Sequence, residues 1–437
     1  MKPTQTDSPF DLQPRRLWRD WQILCGDIGE LRAGTEGERR AAALLVDRLR
    51  KAGADRVWTE DFDCQSLRSS RVQVSAREGR RWRPVAANIV TGAPGTGPVE
   101  GDLEWWEMPE SAHRLKPGCL RGKVVAIFGP LPTEVQHHRR LVEADPAVVI
   151  HVDERLPFSW TKSDGVYPHW ARHYGMPSII TVPYTDAWRW RRERVGRVRV
   201  EATVRLEPAQ SQNVIAELTG TEPGLPEIFI TAHHDTQAGN PGADDNGSGV
   251  VCLLELARVL AARPRRRTLR LVSFGTEEQL SVGSAAYVRA HSLELAKAGL
   301  VVNFDSVSSP LGHFELSCVG KNSLARHAVR ALADRNLDVV LRRVVTPFVD
   351  NFPFNWAGVP SLWFMRTNFP GGRWQHHSPH DTLEHVSVDE VMRLLRAVVP
   401  LVDDLARDER WPFAAGVPVA QRAEARRLGR ALFGFRS

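Results

Sequence analysis

From Asn213 onward, short apolar runs alternate with longer stretches of helical periodicity, and few folds accept that pattern. The runs Ile228–Ala232, Leu269–Phe274, Leu300–Asp305, Phe314–Val319 and Ser361–Met365 read as strands. The stretches Val250–Ala262, Ser284–His291, Leu324–Asn336 and Val388–Ala406 read as helices. Strand–helix alternation predicts an α/β fold, a mixed central sheet with helices on both faces. Loops that do chemistry then belong at the C-terminal ends of the strands.

Upstream the texture differs. Residues 14–71 read as helical and then strand-like, with Ala41, Ala42, Leu45 and Leu49 on one helical face and a strand from Val57 to Phe62. Thr35 with Glu38, and Ser387 with Glu390, have the spacing of capping boxes. Between residues 72 and 207, runs such as Lys123–Phe128 and Ala147–Ile150 are separated by Pro- and Gly-containing turns. Seven tryptophans fall there, at 82, 105, 106, 160, 170, 188 and 190. This predicts an inserted, mostly β domain whose aromatics are core or interface. The expected organisation is a discontinuous unit of 14–71 and 208–410, the insert 72–207, and an amphipathic helical extension 411–437.

Composition narrows the function classes. With 42% hydrophobic and 25% charged residues, the chain is that of a soluble globular protein, and 437 residues suit two domains. Five dispersed cysteines without a C-x-x-C suit free thiols in a reducing compartment. The N-terminal MKPTQTDSPFDLQPRR lacks an apolar signal core, and no run approaches ~18 apolar residues. The expectation is a cytoplasmic chain with no membrane span. The net charge of +6 is read as solvated faces. Two basic stretches, Trp188-Arg189-Trp190-Arg191-Arg192 and Arg263-Pro264-Arg265-Arg266-Arg267, are the only hints of nucleic-acid binding, and no such role is expected.

The chemistry concentrates in TAHHDTQAGNPGADDNGSG, residues 231–249. An apolar run delivers His233 and Asp235, and a Gly-rich turn follows with Asp244 and Asp245. Glu277, Glu278, Asp305 and His377 lie downstream. Imidazole nitrogen and carboxylate oxygen are zinc donors, and paired metals need a carboxylate between them. His233 and His377 are candidates to hold one metal each, Asp245 to bridge, and Glu278 and Asp305 to complete the set. Asp235, two residues from His233, is a candidate to orient its imidazole. Glu277 is left as a free carboxylate and a candidate general base.

These segments resemble the clan MH dizinc exopeptidases, in the family of aminopeptidase Y, the bacterial leucyl aminopeptidases and the Streptomyces aminopeptidase. AHHDT looks like the family's A-H-x-D-S/T, and PGADDNGSG is nearly its bridging-aspartate loop. FGTEEQLSVGS resembles F-x-x-E-E-x-G-L-x-G-S, VNFDS resembles N-x-D-M, and HSPHDT resembles H-T-x-x-D-T. ELRAGTEGERRAA is similar to the opening helix, and VDNFPF, with Asp350, to a supporting segment. The resemblance implies the zinc-exopeptidase fold, two Zn2+ per chain, ligands His233, Asp245, Glu278, Asp305 and His377, and Glu277 as base. It also implies a cis Asp245–Asn246 peptide and a protease-associated-like insert, marked by Gly122–Val125 and Gly175–Ile179. Three positions depart from the pattern. Leu280 stands where the family has Gly, Ser306 where it has Met, and His376 where a Tyr often contributes to the oxyanion. His376 and Arg373 are candidates for oxyanion or substrate contacts. The implied reaction is hydrolysis of a terminal peptide bond in a peptide or amino-acid amide, most simply by an aminopeptidase. The alternatives are a carboxypeptidase or amidohydrolase on the same fold, a glutaminyl cyclase, and a non-catalytic binding relative; oligomeric state is open.

Overall fold

A computed structural model describes residues 10–106, 113–128, 134–155, 159–162, 165–368 and 373–436. Its strands are β1 (Arg56–Glu78), β2 (Arg81–Val85), β3 (Asn88–Ile89), β4 (Thr96–Trp106), β5 (Val124–Phe128), β6 (Val148–Val152) and β7 (Ile179–Val182), then β8 (Arg197–Leu218), β9 (Glu227–His233), β10 (Leu269–Phe274), β11 (Ala298–Phe304), β12 (His313–Val319), β13 (Val340–Arg342) and β14 (Ser361–Thr367). Its helices are α1 (Pro14–Trp21), α2 (Glu36–Lys51), α3 (Val135–Glu143), α4 (Pro168–Tyr174) and α5 (Tyr184–Arg192), then α6 (Gly249–Ala261), α7 (Val282–Ala290), α8 (Asn322–Ala333), α9 (Asn351–Ala357), α10 (Val388–Arg407) and α11 (Val419–Leu428).

The strands join in one continuous order, β13-β12-β14-β11-β9-β10-β8-β4-β5-β6-β7-β3, with β1 paired to β8 and β2. At its centre β14, β11, β9 and β10 run parallel, flanked by antiparallel β12 and β8. Parallel strands covered on both faces need apolar residues on both, which is why they read as unbroken runs. Side-chain alternation splits β9 cleanly. Ile228, Ile230 and Ala232 join a core with α1, α2, α6 and α10, whereas Phe229 joins another with α7 and α9. The expected mixed sheet with helices on both faces is the observed one. Helix α6 (GVVCLLELARVLA) is apolar almost all round and almost wholly buried.

Strands β1 and β8 form a ribbon from Arg56↔Glu217 to Ala76↔Val198 that runs through both expected domain junctions. Beyond it, β4-β5-β6-β7 form a parallel sheet with its own core, which includes Leu141 of α3 and Trp190 of α5. Three short helices therefore stand where a mostly β segment was expected. The tail also differs from the expected single helix. Helix α11 begins only at Val419, and a further turn covers Gly429–Phe433. The Thr35–Glu38 box does not form. Thr35 donates to the Arg32 carbonyl, and Glu38 accepts from Gly34 N–H at 2.6 Å and Ser211 Oγ at 2.6 Å. The second box is half made: Ser387 Oγ accepts from Glu390 N–H at 3.3 Å, while the Glu390 carboxylate pairs with Arg366 and Arg393.

Candidate metal centre

Because β9, β10, β11 and β14 are parallel, their C-terminal ends open on one edge. His233 is the last residue of β9, Glu277 and Glu278 follow β10, Asp305 follows β11, and the connection after β14 carries Arg373, His376 and His377. Asp245 comes from the turn before α6. His233 and Asp235 are buried, and Asp245, Glu277, Glu278, Asp305, Arg373, His376 and His377 all line one cavity of about 410 Å3.

Asp245 is the centre of the arrangement. Its Oδ1 lies 3.3 Å from His233 Nε2, and its Oδ2 lies 2.9 Å from His376 Nε2 and 3.4 Å from His377 Nε2. His377 Nε2 is 2.9 Å from Glu278 Oε2, and His233 Nε2 is 3.9 Å from Asp305 Oδ1. Two metal-sized triads share this aspartate, His233–Asp245–Asp305 and Asp245–His376–His377. The Asp245–Asn246 peptide is cis.

Hydrogen bonds fix the carriers. The Asp235 carboxylate accepts from the N–H of Glu277 at 2.8 Å and of Glu278 at 3.1 Å. His233 Nδ1 is nearer the Asp235 backbone carbonyl, at 3.2 Å, than the carboxylate, at 3.5 Å. So Asp235 joins the β9 end to the β10 end as well as facing the imidazole. Asp381 does the same for the Asp245 turn: its carboxylate accepts from Asp244 N–H at 2.7 Å and Asp245 N–H at 2.9 Å. Asp381 lies inside HSPHDT, so the motif was visible but its partner, more than 130 residues away, was not. Gln237 was also missed; its Nε2 donates to the Glu278 carbonyl at 2.9 Å.

The three departures have physical outcomes. Leu280 has φ +67° and Ser306 φ +54°, in the left-handed region that favours glycine. Ser306 Oγ uses that turn to donate to Asp305 Oδ1 at 3.1 Å. His376 stacks on His377 with ring centroids 3.5 Å apart, which brings its nitrogen to Asp245.

Buried carboxylates crowd here. Burial, with Asp350, Asp305 and Glu278 close by, pushes Glu277 well above the ordinary carboxylate range against the pull of His233. Burial pushes Glu278 up to about 7 against the pull of His377, and Asp350 up to about 7. His233 is also driven up, well above an ordinary imidazole, because Glu277, Asp235 and Asp245 outweigh its burial. His233 Nε2 and Glu278 Oε1 are buried without a hydrogen-bond partner. Such orphaned donor atoms cost free energy unless something satisfies them. Imidazole nitrogen and carboxylate oxygen, converging in an anionic hollow, fit divalent cations.

Residues 213–402 match the family model described as Peptidase family M28. Aminopeptidase YwaD of Bacillus subtilis is 30% identical over 224 residues, 48% of this chain and 49% of that protein. The chain thus spans about half the length of that relative. Carboxypeptidase Q of Xenopus laevis is 25% identical over 422 residues, 90% of this chain and 86% of that protein. The solved structure of BSAP, a zinc aminopeptidase from Bacillus subtilis, shares the fold with a TM-score of 0.72 at 21% identity, covering 93% of this chain and 98% of that one.

Away from this centre, the basic stretches are internally committed. Trp190 is buried, Arg189 pairs with Glu78 and Asp186, Arg263 pairs with Asp403, and Arg266 pairs with Glu222. Among the described residues, no helix is long and apolar enough to cross a membrane.

Proposed function

We propose that this chain is a zinc-dependent metallo-aminopeptidase with two Zn2+ per chain. The observation that carries the reading is Asp245, whose carboxylate lies between His233, which is near Asp305, and His377, which is near Glu278, with Glu277 beside them. His233 and Asp305 would hold one ion, Glu278 and His377 the other, with Asp245 between them. When bound, the ions lower the pKa of a water and polarise the scissile carbonyl. Glu277 takes a proton from the attacking water and returns it to the leaving amine. Its carboxylate lies 3.7 Å from His233 Nε2, on a backbone pinned by Asp235, which supports a place at the reacting edge. His376 and Arg373 are positioned to donate to developing negative charge on the substrate.

The cavity wall suits an apolar side chain. Tyr167, Trp170 and Met176 come from the insert, which we read as protease-associated-like and bounded at about 72 and 207. Trp363, Met365 and Leu280 come from the peptidase unit. The tail backs this wall: Trp170 Nε1 donates to the Ala431 carbonyl at 2.6 Å, and Leu428, Leu432 and Phe435 pack on Tyr167 and Trp170. We therefore expect apolar terminal residues to be preferred.

A second reading, carboxypeptidase, is favoured by the match to carboxypeptidase Q along most of both chains. Aminoacyl-4-nitroanilides, their N-acetylated forms and N-blocked dipeptides separate the two. Cleavage confined to free-amine substrates and abolished by chelation supports the aminopeptidase. Turnover of N-blocked dipeptides alone overturns it in favour of the second reading.

A further inference from the structure

The four outer ligand candidates are supported unequally by the insert. His233 and Asp305 follow core strands, and their backbones are held within the peptidase unit; Asp305 N–H, for example, donates to the Phe364 carbonyl at 3.1 Å. Glu278 and His377 sit further out, on connections, 2.9 Å from each other. The insert reaches both connections.

Arg155, which follows β6, is the larger grip. It is 5% exposed. Its Nε and Nη2 fork onto the Asp153 carboxylate at 2.9 and 2.6 Å. Its Nη1 donates to the Trp374 carbonyl at 3.0 Å and to the His376 carbonyl. A buried guanidinium is tolerated only when paired and hydrogen-bonded, and its flat fork serves a carboxylate on one edge and carbonyls on the other. Trp160 adds an aromatic contact to the same connection, its ring 4.2 Å from that of His380.

The second grip falls on Glu278. The Thr91 hydroxyl donates to Gln237 Oε1 at 3.2 Å, and Gln237 Nε2 donates to the Glu278 carbonyl. The insert backbone also closes on that carbonyl at Gly165, where an added Cβ would lie 2.6 Å from Glu278 O.

We infer that the insert is a positioning device for one half of the metal centre. Arg155, assisted by the Thr91–Gln237 relay and Gly165, holds His377 and Glu278 in place for the ion they share, whereas the ion at His233 and Asp305 does not depend on the insert. The inference rests on the metallopeptidase reading above and goes beyond it by making the two sites unequal. The proposed role of Arg155 is positioning, through the backbone carbonyls of Trp374 and His376.

The test uses the full-length chain, wild type, Arg155→Met and Arg155→Lys, stripped with a chelator and titrated with zinc against a coloured competitor. A parallel titration with cobalt(II) reads each site by its visible absorption. The expected result is two sites in the wild type. In Arg155→Met one keeps its affinity and its cobalt spectrum, while the other weakens about 10–100-fold, the usual cost of losing a group behind a ligand, with an altered spectrum. Arg155→Lys should recover part of the loss. A merely structural Arg155 would lower the melting temperature of the metal-free chain without separating the sites. Equal weakening of both sites, or of neither, overturns the inference. If Arg155→Met does not fold, Thr91→Val tests the other grip, and unchanged affinities there overturn it equally. A wild-type chain that binds no zinc fails the underlying reading itself, and the two failures are thereby distinguished.

Discussion

The His233–Asp305 side of the centre and the Glu278–His377 side are built by different means. On the first, strand ends carry the ligand candidates: β9 and β11 are neighbours, His233 is the last residue of β9, and Asp305 directly follows β11. On the second, the ligands lie on connections whose shape comes from far-off hydrogen bonds: Arg155 to the 374 and 376 carbonyls, Gln237 to the 278 carbonyl, and Asp235 to the 277 and 278 amides. A sheet supplies geometry without further help, whereas a loop must be braced. The brace is where an inserted domain acquires a role in chemistry.

The largest expected effect breaks the chemistry while sparing both sides. Glu277→Gln should lower the hydrolytic rate by about 10^2–10^4-fold, with zinc content unchanged. Initial rates and elemental analysis on one preparation check this; surviving turnover removes Glu277 as the base.

A second change sharpens the contrast. Gly165→Ala places a methyl group against the Glu278 carbonyl. Overpacking of this kind costs about 1–3 kcal/mol, and the strain should be felt at the Glu278–His377 side alone. Thermal unfolding with and without zinc reads it. Equal losses in the two conditions would mean that the strain is not transmitted to the ligand.

The last change leaves both sides of the centre in place and concerns Glu38, a buried carboxyl near Asp235. Burial, reinforced by Asp235, raises the Glu38 carboxyl to about 8 from an ordinary 4.5. The folded chain therefore binds this proton more tightly than the unfolded chain does. Its stabilising contribution is complete below pH 4.5 and is lost as pH rises through about 8. Glu38→Gln removes that slope: Gln can still accept from Gly34 N–H and donate to Ser211 Oγ. The variant should gain stability relative to wild type as pH rises from 5 to 8, measured by urea unfolding at both pH values. A parallel pH dependence in the two proteins would refute the assignment.

The same contrast explains what was legible in the sequence. The central strands and helices α6, α7, α8 and α10 match their expected spans to within a few residues, because double burial and helical periodicity are local signals. Helices α3, α4 and α5 were not legible; at nine, seven and nine residues they are too short for periodicity to outvote their Trp and Arg content. Strand β1 was read as far as Phe62 but continues to Glu78, since the polar stretch after Leu67 is held by pairing to β8 rather than by burial. Within the site, every residue singled out for chemistry lies at the one sheet edge, since each came in a short motif. Arg155 carries no such motif, and Gln237 and Asp381, although inside quoted segments, gave no sign of their partners. They act on backbone atoms, or from distances of 40 to more than 200 residues along the chain.

The most direct measurement of the central claim is zinc per chain at saturation, by elemental analysis of chelator-stripped and reconstituted protein, with aminoacyl-4-nitroanilide hydrolysis followed across the titration. The account predicts about two zinc per chain and activity that appears as the sites fill. Saturation at one ion, or full activity in the stripped chain, would contradict it.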